Sequence, residues 1–261
     1  MRRRLPPMID APPVSANAAA WFAMQQQRRR RRNAVVSGAG SAAEMPGDYV
    51  AQFRAAMLPM AVGDPVDVWP DMSGNVYDAW QDTVSSQPTL QSVTFAGKTF
   101  PVVRFDTVDD GMATPLVIPA EAPFSIFVLW RPSVIVGSTN AIISSGSLDW
   151  SMGTFSGGML CYFTNWTSGA AVNTSDFFLF EVRIDPVEQT GAIFLNGVQC
   201  GLEAEPGLSG PEQVTFGASG SNGYPAACDC AEVIIYDRFL SEEEAEDVRA
   251  YFQDQYNYLK L

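Results

Sequence analysis

The clearest structural signal in this 261-residue chain is the run Phe124-Ser125-Ile126-Phe127-Val128-Leu129-Trp130, which Arg131-Pro132 ends. β-branched and aromatic residues are enriched in strands, whereas proline cannot donate a hydrogen bond to a sheet ladder. The run therefore predicts a β-strand over residues 124–130.

A second strand is indicated over residues 178–185. The even-numbered residues there are all apolar, whereas the odd-numbered ones include Glu181, Arg183 and Asp185. This period of two residues is that of a strand with one polar face.

A hairpin and several short strands complete a β pattern. Asn196-Gly197 separates the apolar run 192–195 from residues 198–200, and a two-residue turn of this kind needs positive φ at both positions. Further short strands are predicted near 49–53, 66–69, 102–105, 141–145, 150–155, 158–163, 214–217 and 231–236. Many short strands separated by turn residues predict an all-β, two-sheet antiparallel jelly-roll sandwich.

The period changes near the C-terminus. Ser241 and Glu244 have the spacing of a helix capping box. The apolar residues that follow recur at helical spacing and are Ala245, Val248, Phe252 and Tyr256. We expect a C-terminal helix that packs one face on the sandwich.

Charge divides the chain into unlike parts. Residues 1–33 contain eight of the sixteen basic residues and one acid, a net charge of +7, whereas residues 34–261 contain the other eight and 28 acids, a net charge of −20. Residues 34–47 are rich in Gly, Ala and Ser, as linkers are. The predicted domains are a basic anchoring arm at 1–33, a linker at 34–47 and the jelly-roll domain at 48–261.

The sequence of the arm predicts a short helix followed by an arginine run. Residues 15–27 are rich in Ala and Gln, and Ser15 or Asn17 could cap a helix there. Trp21 and Phe22 would form an apolar patch without an evident partner in the chain, and an isolated helix of this length is marginal in water. The arginines that follow are Arg28, Arg29, Arg30, Arg31 and Arg32.

We therefore expect the arm to become ordered against another protein. Trp21 and Phe22 would bury apolar surface there, while the arginine run would bind carboxylates with fork-shaped hydrogen bonds. A solvated tail and a helix lying on a membrane are the alternatives. Nucleic acid is expected to bind, if at all, only through the arm, because the body is acidic.

Composition excludes several kinds of chemistry. The chain has no His, which excludes Ser-His-Asp and Cys-His triads and His-ligated zinc and iron sites. No run approaches the ~20 apolar residues that span a bilayer. The prolines near the N-terminus also argue against a secretory signal.

The body resembles the concanavalin A-like, laminin-G-like jelly-roll domains of the kind found in phage virion and bacterial surface proteins. The turn around Trp69, Asp71, Ser73 and Gly74 is similar to the opening turn of that family. Other matching pieces follow in family order at 87–90, 103–106, 124–131, 195–197 and 232–241. We interpret these motifs as structural, with Trp69 as a core residue and Arg104 or Arg131 pairing with acids at 106–110.

The resemblance implies a possible glucanase site, because related sandwiches include retaining glycosidases, and its candidate residues are Glu181, Asp185 and Glu188. Retaining hydrolysis needs two carboxyl groups ~5–5.5 Å apart in a cleft. Arg183 occupies the middle position of the required alternation, and Pro186 ends the strand before Glu188. We therefore expect the protein not to be an enzyme.

The residues also suggest two kinds of ligand site, one for a cation and one for a glycan. Asp106, Asp109 and Asp110 lie close together on a predicted loop and could provide oxygen ligands for Ca²⁺, which several laminin-G-like domains bind. No other cofactor is expected. The cysteines Cys161, Cys200, Cys228 and Cys230 lack zinc-site spacing, and we expect them reduced or buried.

Glycan binding needs exposed aromatic residues beside polar groups. Trp150, Tyr162 and Trp166 are the candidates, with Tyr224, because they lie among Gly, Ser, Thr and Asn. The alternative is that these residues pack in the core.

The family resemblance, together with the basic arm, implies a non-enzymatic virion protein of a tailed phage, which would be a structural, decoration or appendage protein. Its arm would dock on capsid or tail proteins, and its jelly roll would face outward, with a host surface glycan as a further partner and a homo-oligomeric assembly. One alternative is a bacterial surface lectin or glycan-active enzyme. The other is a jelly-roll coat protein whose arm binds packaged genome.

Overall fold

The structure is a computed structural model that describes residues 45–106, 108–135, 140–145, 150–155, 159–163, 167–201, 210–217 and 226–259. For 155, 159–163 and 167–169 it describes the backbone alone. The predicted arm, with Trp21, Phe22 and Arg28 to Arg32, lies outside the described residues, as does most of the linker.

The described residues form sixteen β-strands and one α-helix. The strands are β1 (Ala51–Arg54), β2 (Val68–Trp69), β3 (Ala79–Trp80), β4 (Thr89–Phe95), β5 (Lys98–Phe105), β6 (Gly111–Ile118), β7 (Phe124–Pro132), β8 (Asn140–Ser145), β9 (Ser151–Phe155), β10 (Met159–Phe163), β11 (Thr167–Ala171), β12 (Phe178–Asp185), β13 (Thr190–Leu195), β14 (Val198–Gly201), β15 (Glu212–Gly217) and β16 (Cys228–Tyr236). The helix is α1 (Glu242–Tyr256).

The strands form two antiparallel sheets, which confirms the predicted two-sheet sandwich. Sheet I has the order β14-β13-β12-β7-β16-β5-β4, and β1 also pairs with β16. β5 pairs with Cys228 to Cys230, whereas β1 pairs with Glu232 to Ile235, so the two strands bind successive parts of β16. Sheet II has the order β11-β10-β9-β8-β15-β6-β3-β2.

The main core lies between the sheets. Large buried side chains there are Phe53, Trp69, Phe105, Phe124, Trp130, Trp150, Phe180 and Phe216. Trp69 is buried as predicted and contacts Phe53 and Phe216. Cys228 and Cys230 are free thiols in this core, and burial raises the pKa of both.

A second core lies on the outer face of sheet I, beneath α1. Phe127 and Leu129 of β7 belong to it, together with the predicted apolar face of the helix. The alternate residues of β7 face the main core, so this central strand is buried on both sides. The capping box of Ser241 and Glu244 begins the helix, as the spacing indicated.

Two buried carboxylates also hold α1 to sheet I. Glu232 of β16 accepts hydrogen bonds from Tyr256 Oη at 2.5 Å and Tyr251 Oη at 2.8 Å. Glu181 of β12 accepts a fork from Arg249, with distances of 2.8 Å from Nε and 3.0 Å from Nη2. Burial raises the pKa of both carboxyl groups, and these donors oppose that shift.

The predicted turns form as expected. Asp71 Oδ1 accepts from the backbone N–H of Ser73 at 2.8 Å and from that of Gln52 at 3.0 Å, so this turn also binds β1. Asn196 and Gly197 have φ values of 53° and 78°, as their hairpin turn requires. No helix in the described part of the chain is long and apolar enough to cross a membrane.

Candidate functional site

The outer face of sheet II carries an exposed tryptophan, Trp80, on the short strand β3. Strand alternation places Ala79 in the core and Trp80 on the opposite face, where its side chain is 39% exposed. Trp80 lies beside Val68 of β2 and Ala113 of β6 in the sheet register. A partly exposed amphipathic ring is therefore held on a strand of the outer face.

Polar side chains continue the same row across the sheet. Thr215 of β15 pairs with Ala113, and Ser144 of β8 pairs with Thr215. The hydroxyl oxygens of Ser144 and Thr215 are 2.9 Å apart, and Thr215 also donates to the Ser144 carbonyl at 2.9 Å. Residues beside this row include Pro115, Val117 and Gln213, which are exposed.

The predicted acidic cluster lies at the start of β6, near the same end of the sheet. Carboxylate oxygens of Asp106, Asp109 and Asp110 lie within 4.8 Å of one another. The segment after Trp80 contacts this region, because Gln81 donates to the Gly111 carbonyl at 2.7 Å and Ser86 donates to Asp109 at 2.7 Å. The segment that follows Trp80 is thus hydrogen-bonded to the loop that carries the acidic cluster.

Asp110 is the buried member of the cluster. Its Oδ2 accepts from the backbone N–H of Asp106 at 2.8 Å. Burial, with smaller contributions from the charges of Asp106 and Asp109, raises the pKa of Asp110 to about 6. Three carboxylates so close together could supply oxygen ligands to a cation, and Ca²⁺ binding here stays a prediction.

The aromatic candidates fare differently from one another. Trp150 is only 2% exposed and contacts Phe124 in the main core, with ring centroids 5.9 Å apart. Its proposed role as an exposed sugar-stacking residue is therefore wrong, because it packs between the sheets. The backbone of Tyr162 in β10 pairs with that of Met152 in β9, and Trp166 lies outside the described residues, so both stay predictions.

The three carboxylates considered for hydrolysis do not face a common cleft. Glu181 is buried under α1 and paired with Arg249 and Arg183. Asp185 accepts from the backbone N–H groups of Val187 and Glu188 in the turn after β12. Glu188 itself is exposed.

The expected pairing of the central arginines is also corrected. Arg104 and Arg131 both bind Asp229 of β16 rather than the acids at 106–110. Asp229 occupies the strand position between them in the sheet register. Strand pairing, which sequence spacing did not give, brings these three residues together.

Sequence reasoning missed Trp80. The signal available was its position between Ala79 and Gln81, where a period of two would place the indole opposite a small core residue. A two-residue strand is too short for that period to be recognised.

No protein-family model matches the chain, and no curated protein matches it in sequence. Solved structures do resemble it. A sialidase of Trypanosoma rangeli in complex with sialic acid has a TM-score of 0.60 and 10% sequence identity, over 90% of this chain and 38% of the sialidase. The chain thus spans well under half the length of that enzyme.

Two isolated domains are similar as well. Domain 4 of AbnA, a GH43 extracellular arabinanase from Geobacillus stearothermophilus in complex with arabinotriose, has a TM-score of 0.53 and 13% identity, over 77% of this chain and 98% of that domain. The binding domain of Paraclostridial Mosquitocidal Protein 1 has a TM-score of 0.52 and 14% identity, over 73% of this chain and 51% of that one. At such identities the likeness shows a shared β-sandwich fold.

Proposed function

We propose that this protein is a non-enzymatic glycan-binding module of a tailed-phage virion. The sandwich would face outward and bind a carbohydrate of the host surface. The basic arm would attach it to a capsid or tail protein.

The observation that carries glycan binding is the exposed ring of Trp80 beside a polar row. An indole offers a flat apolar surface to the C–H face of a sugar, while Ser, Thr and Gln side chains supply hydrogen-bond donors and acceptors. Gln213 is exposed and Ser144 is half-buried on the same face as Trp80, whereas Thr215 is 2% exposed and bonds to Ser144 from below. The arabinanase domain and the sialidase, both solved with sugars, support this proposal through their fold.

The non-enzymatic part of the proposal rests on the carboxylates. Most retaining glycosidases use two carboxyl groups that face one cleft, and sialidases, which use a tyrosine nucleophile, are an exception. Glu181 instead makes two hydrogen bonds to Arg249 beneath α1. An arginine-bound carboxylate under a helix is unsuited to attack a sugar.

The virion placement rests on the charge division and on the family resemblance of the body. An arm of charge +7 would be attracted to acidic protein surfaces, and a body of charge −20 would repel nucleic acid. Display of the module in several copies would strengthen weak individual binding.

A glycan array followed by calorimetry tests the binding face. We expect Trp80→Ala to weaken binding of the selected glycan by roughly tenfold or more, which corresponds to about 1.4 kcal/mol and is a usual cost of truncating an aromatic residue at the centre of a contact. Trp80→Phe should retain part of the affinity because it keeps a ring.

Phe239→Ala is the matched control, because Phe239 is exposed to a similar degree. Its substitution should leave glycan affinity unchanged. Binding that survives Trp80→Ala at full strength, or the absence of any binding glycan, would contradict the proposed function.

A further inference from the structure

A cationic cluster lies on the outer face of sheet I, on three adjacent strands. Asp229 of β16 stands between Arg104 of β5 and Arg131 of β7 in the sheet register. Arg131 also lies over the ring of Phe177, 4.9 Å from its centroid. The cluster is thus on the opposite sheet from Trp80.

One buried carboxylate orients both guanidinium groups. Arg104 donates from Nε at 2.6 Å and from Nη2 at 3.0 Å, a fork onto the two oxygens of Asp229. Arg131 donates from Nη2 to Asp229 Oδ2. The aspartate side chain is 1% exposed, so it lies beneath the guanidinium groups and leaves their solvent side open.

The cluster carries a surplus of positive charge. Two arginines share a single carboxylate here. In the other arginine ion pairs of the described residues, carboxylates equal or outnumber arginines: Arg183 and Arg249 with Glu181 and Glu242, Arg238 with Asp48 and Glu244, and Arg54 with Glu232. Residues 34–261 have a net charge of −20, and among the described arginine ion pairs this cluster is the one with more arginines than carboxylates, so it attracts anions.

Hydrogen-bond donors also remain at this cluster. A guanidinium group has five N–H donors. The bonds to Asp229 use two of those on Arg104 and one on Arg131. Their side chains are 42% and 20% exposed, so the remaining donors include groups that an incoming oxyanion can reach.

We infer that Arg104 and Arg131 form a binding site for the carboxylate of an acidic sugar, with Asp229 as the positioning residue. Planar guanidinium groups match a carboxylate or a phosphate with paired hydrogen bonds, which an ammonium group cannot do. The choice of a sugar as the carrier of that oxyanion rests on the proposed function. The site itself is separate from the face around Trp80.

Titration of the full-length protein with glucuronate, glucose and inorganic phosphate tests the site. Glucuronate and glucose differ at C6, where one has a carboxylate and the other a hydroxymethyl group. We expect saturable binding of glucuronate, no saturable binding of glucose here, and weaker binding of phosphate. Arg104→Gln and Arg131→Gln should each weaken glucuronate binding by about tenfold or more.

Arg238→Gln is the matched control, because Arg238 pairs with two carboxylates and should not contribute. If Arg104→Gln unfolds, Arg104→Lys keeps the charge but loses the fork, and it should bind glucuronate more weakly than the native protein. Glucuronate binding that is absent, or unchanged in these variants, would overturn the inference. Phosphate binding as tight as that of glucuronate would overturn the assignment to a sugar.

Trp80→Ala separates this inference from the proposed function. It should leave the glucuronate affinity unchanged, since Trp80 lies on the other sheet. Loss of array glycan binding in Trp80→Ala without any glucuronate binding would overturn this inference alone. Glucuronate binding that depends on Arg104 and Arg131, together with array glycan binding that Trp80→Ala leaves intact, would overturn only the role of Trp80.

Discussion

The ionised form of the Asp110 carboxyl group is disfavoured by its surroundings. It is buried next to Asp106 and Asp109, and its pKa is raised to about 6. A carboxyl group with a raised pKa in the folded state stabilises the fold fully below its unfolded pKa of 3.8, and this contribution is lost as the pH rises through 6. The native protein therefore bears an unfavourable charge at neutral pH.

We expect Asp110→Asn to raise the free energy of unfolding at pH 7 by about 1–3 kcal/mol, because the amide cannot ionise. At pH 4 the gain should disappear. Urea denaturation at the two pH values measures the difference. Asp82→Asn makes the same chemical change at an exposed position and is the matched control, which should change the free energy of unfolding by less than about 0.5 kcal/mol.

An equal gain from Asp110→Asn at both pH values would show that the charge of Asp110 is not the cause.

Two tryptophans show what the sequence could and could not tell at this scale. Trp69 was predicted in the core from its turn motif, and it lies there. The polar neighbours of Trp150 in sequence suggested sugar binding, yet Trp150 lies directly before β9 and packs in the core. Composition around a residue does not determine which face of a strand it occupies.

At the scale of elements, α1 is fastened to sheet I by buried polar groups as well as by apolar packing. Glu232 lies under the helix and accepts a hydrogen bond from Tyr256, whose ring packs on Phe100 with centroids 5.2 Å apart. Removing the donor alone would leave a buried carboxylate less well satisfied.

Tyr256→Phe should therefore lower the free energy of unfolding by about 1–3 kcal/mol, even though it keeps the ring. Chemical denaturation followed by tryptophan fluorescence measures this loss. Tyr251→Phe removes the other tyrosine donor to Glu232, at a half-buried position, and should cost less. A larger loss for Tyr251→Phe would contradict the ranking by burial.

Elements with a strong local signal were predicted well. The capping box and the helical spacing gave α1, and Asn196-Gly197 gave the β13–β14 hairpin. β6 was missed because Pro115 interrupts it. The register of β6 with β15 shifts at this point, and the exposed proline is accommodated there.

At the scale of the whole molecule, the sequence gives a charge division and a sandwich, whereas the meeting of distant residues depends on strand order. Arg104, Arg131 and Asp229 are up to 125 positions apart in sequence and converge because β5, β16 and β7 are neighbours. No spacing rule brings such residues together. The arginine cluster was therefore beyond the reach of the sequence, whereas the acidic cluster at 106–110, whose members are close in the chain, was within it.

Deletion of residues 1–33 tests the proposed arm. We expect the remaining protein to keep its thermal unfolding midpoint and its glycan binding, because the described sandwich has both of its cores within residues 45–259. Association with purified phage particles, measured by co-sedimentation, should be lost. A version with the five arginines of 28–32 replaced by Gln should show an intermediate loss.

Truncated protein that still co-sediments fully with particles would contradict attachment through the arm.

Residues 46–54, where the chain joins the sandwich, determine how a pulling force on the arm would reach the sheets. Asp48 pairs with Arg238, the Tyr236 hydroxyl donates to the Pro46 carbonyl, and β1 then runs antiparallel to the end of β16. The hydrogen bonds of β1 lie across the strand direction. If the arm attaches the sandwich as proposed, tension transmitted along β1 would load these hydrogen bonds together in shear, so the attachment would resist pulling better than one whose bonds open one after another.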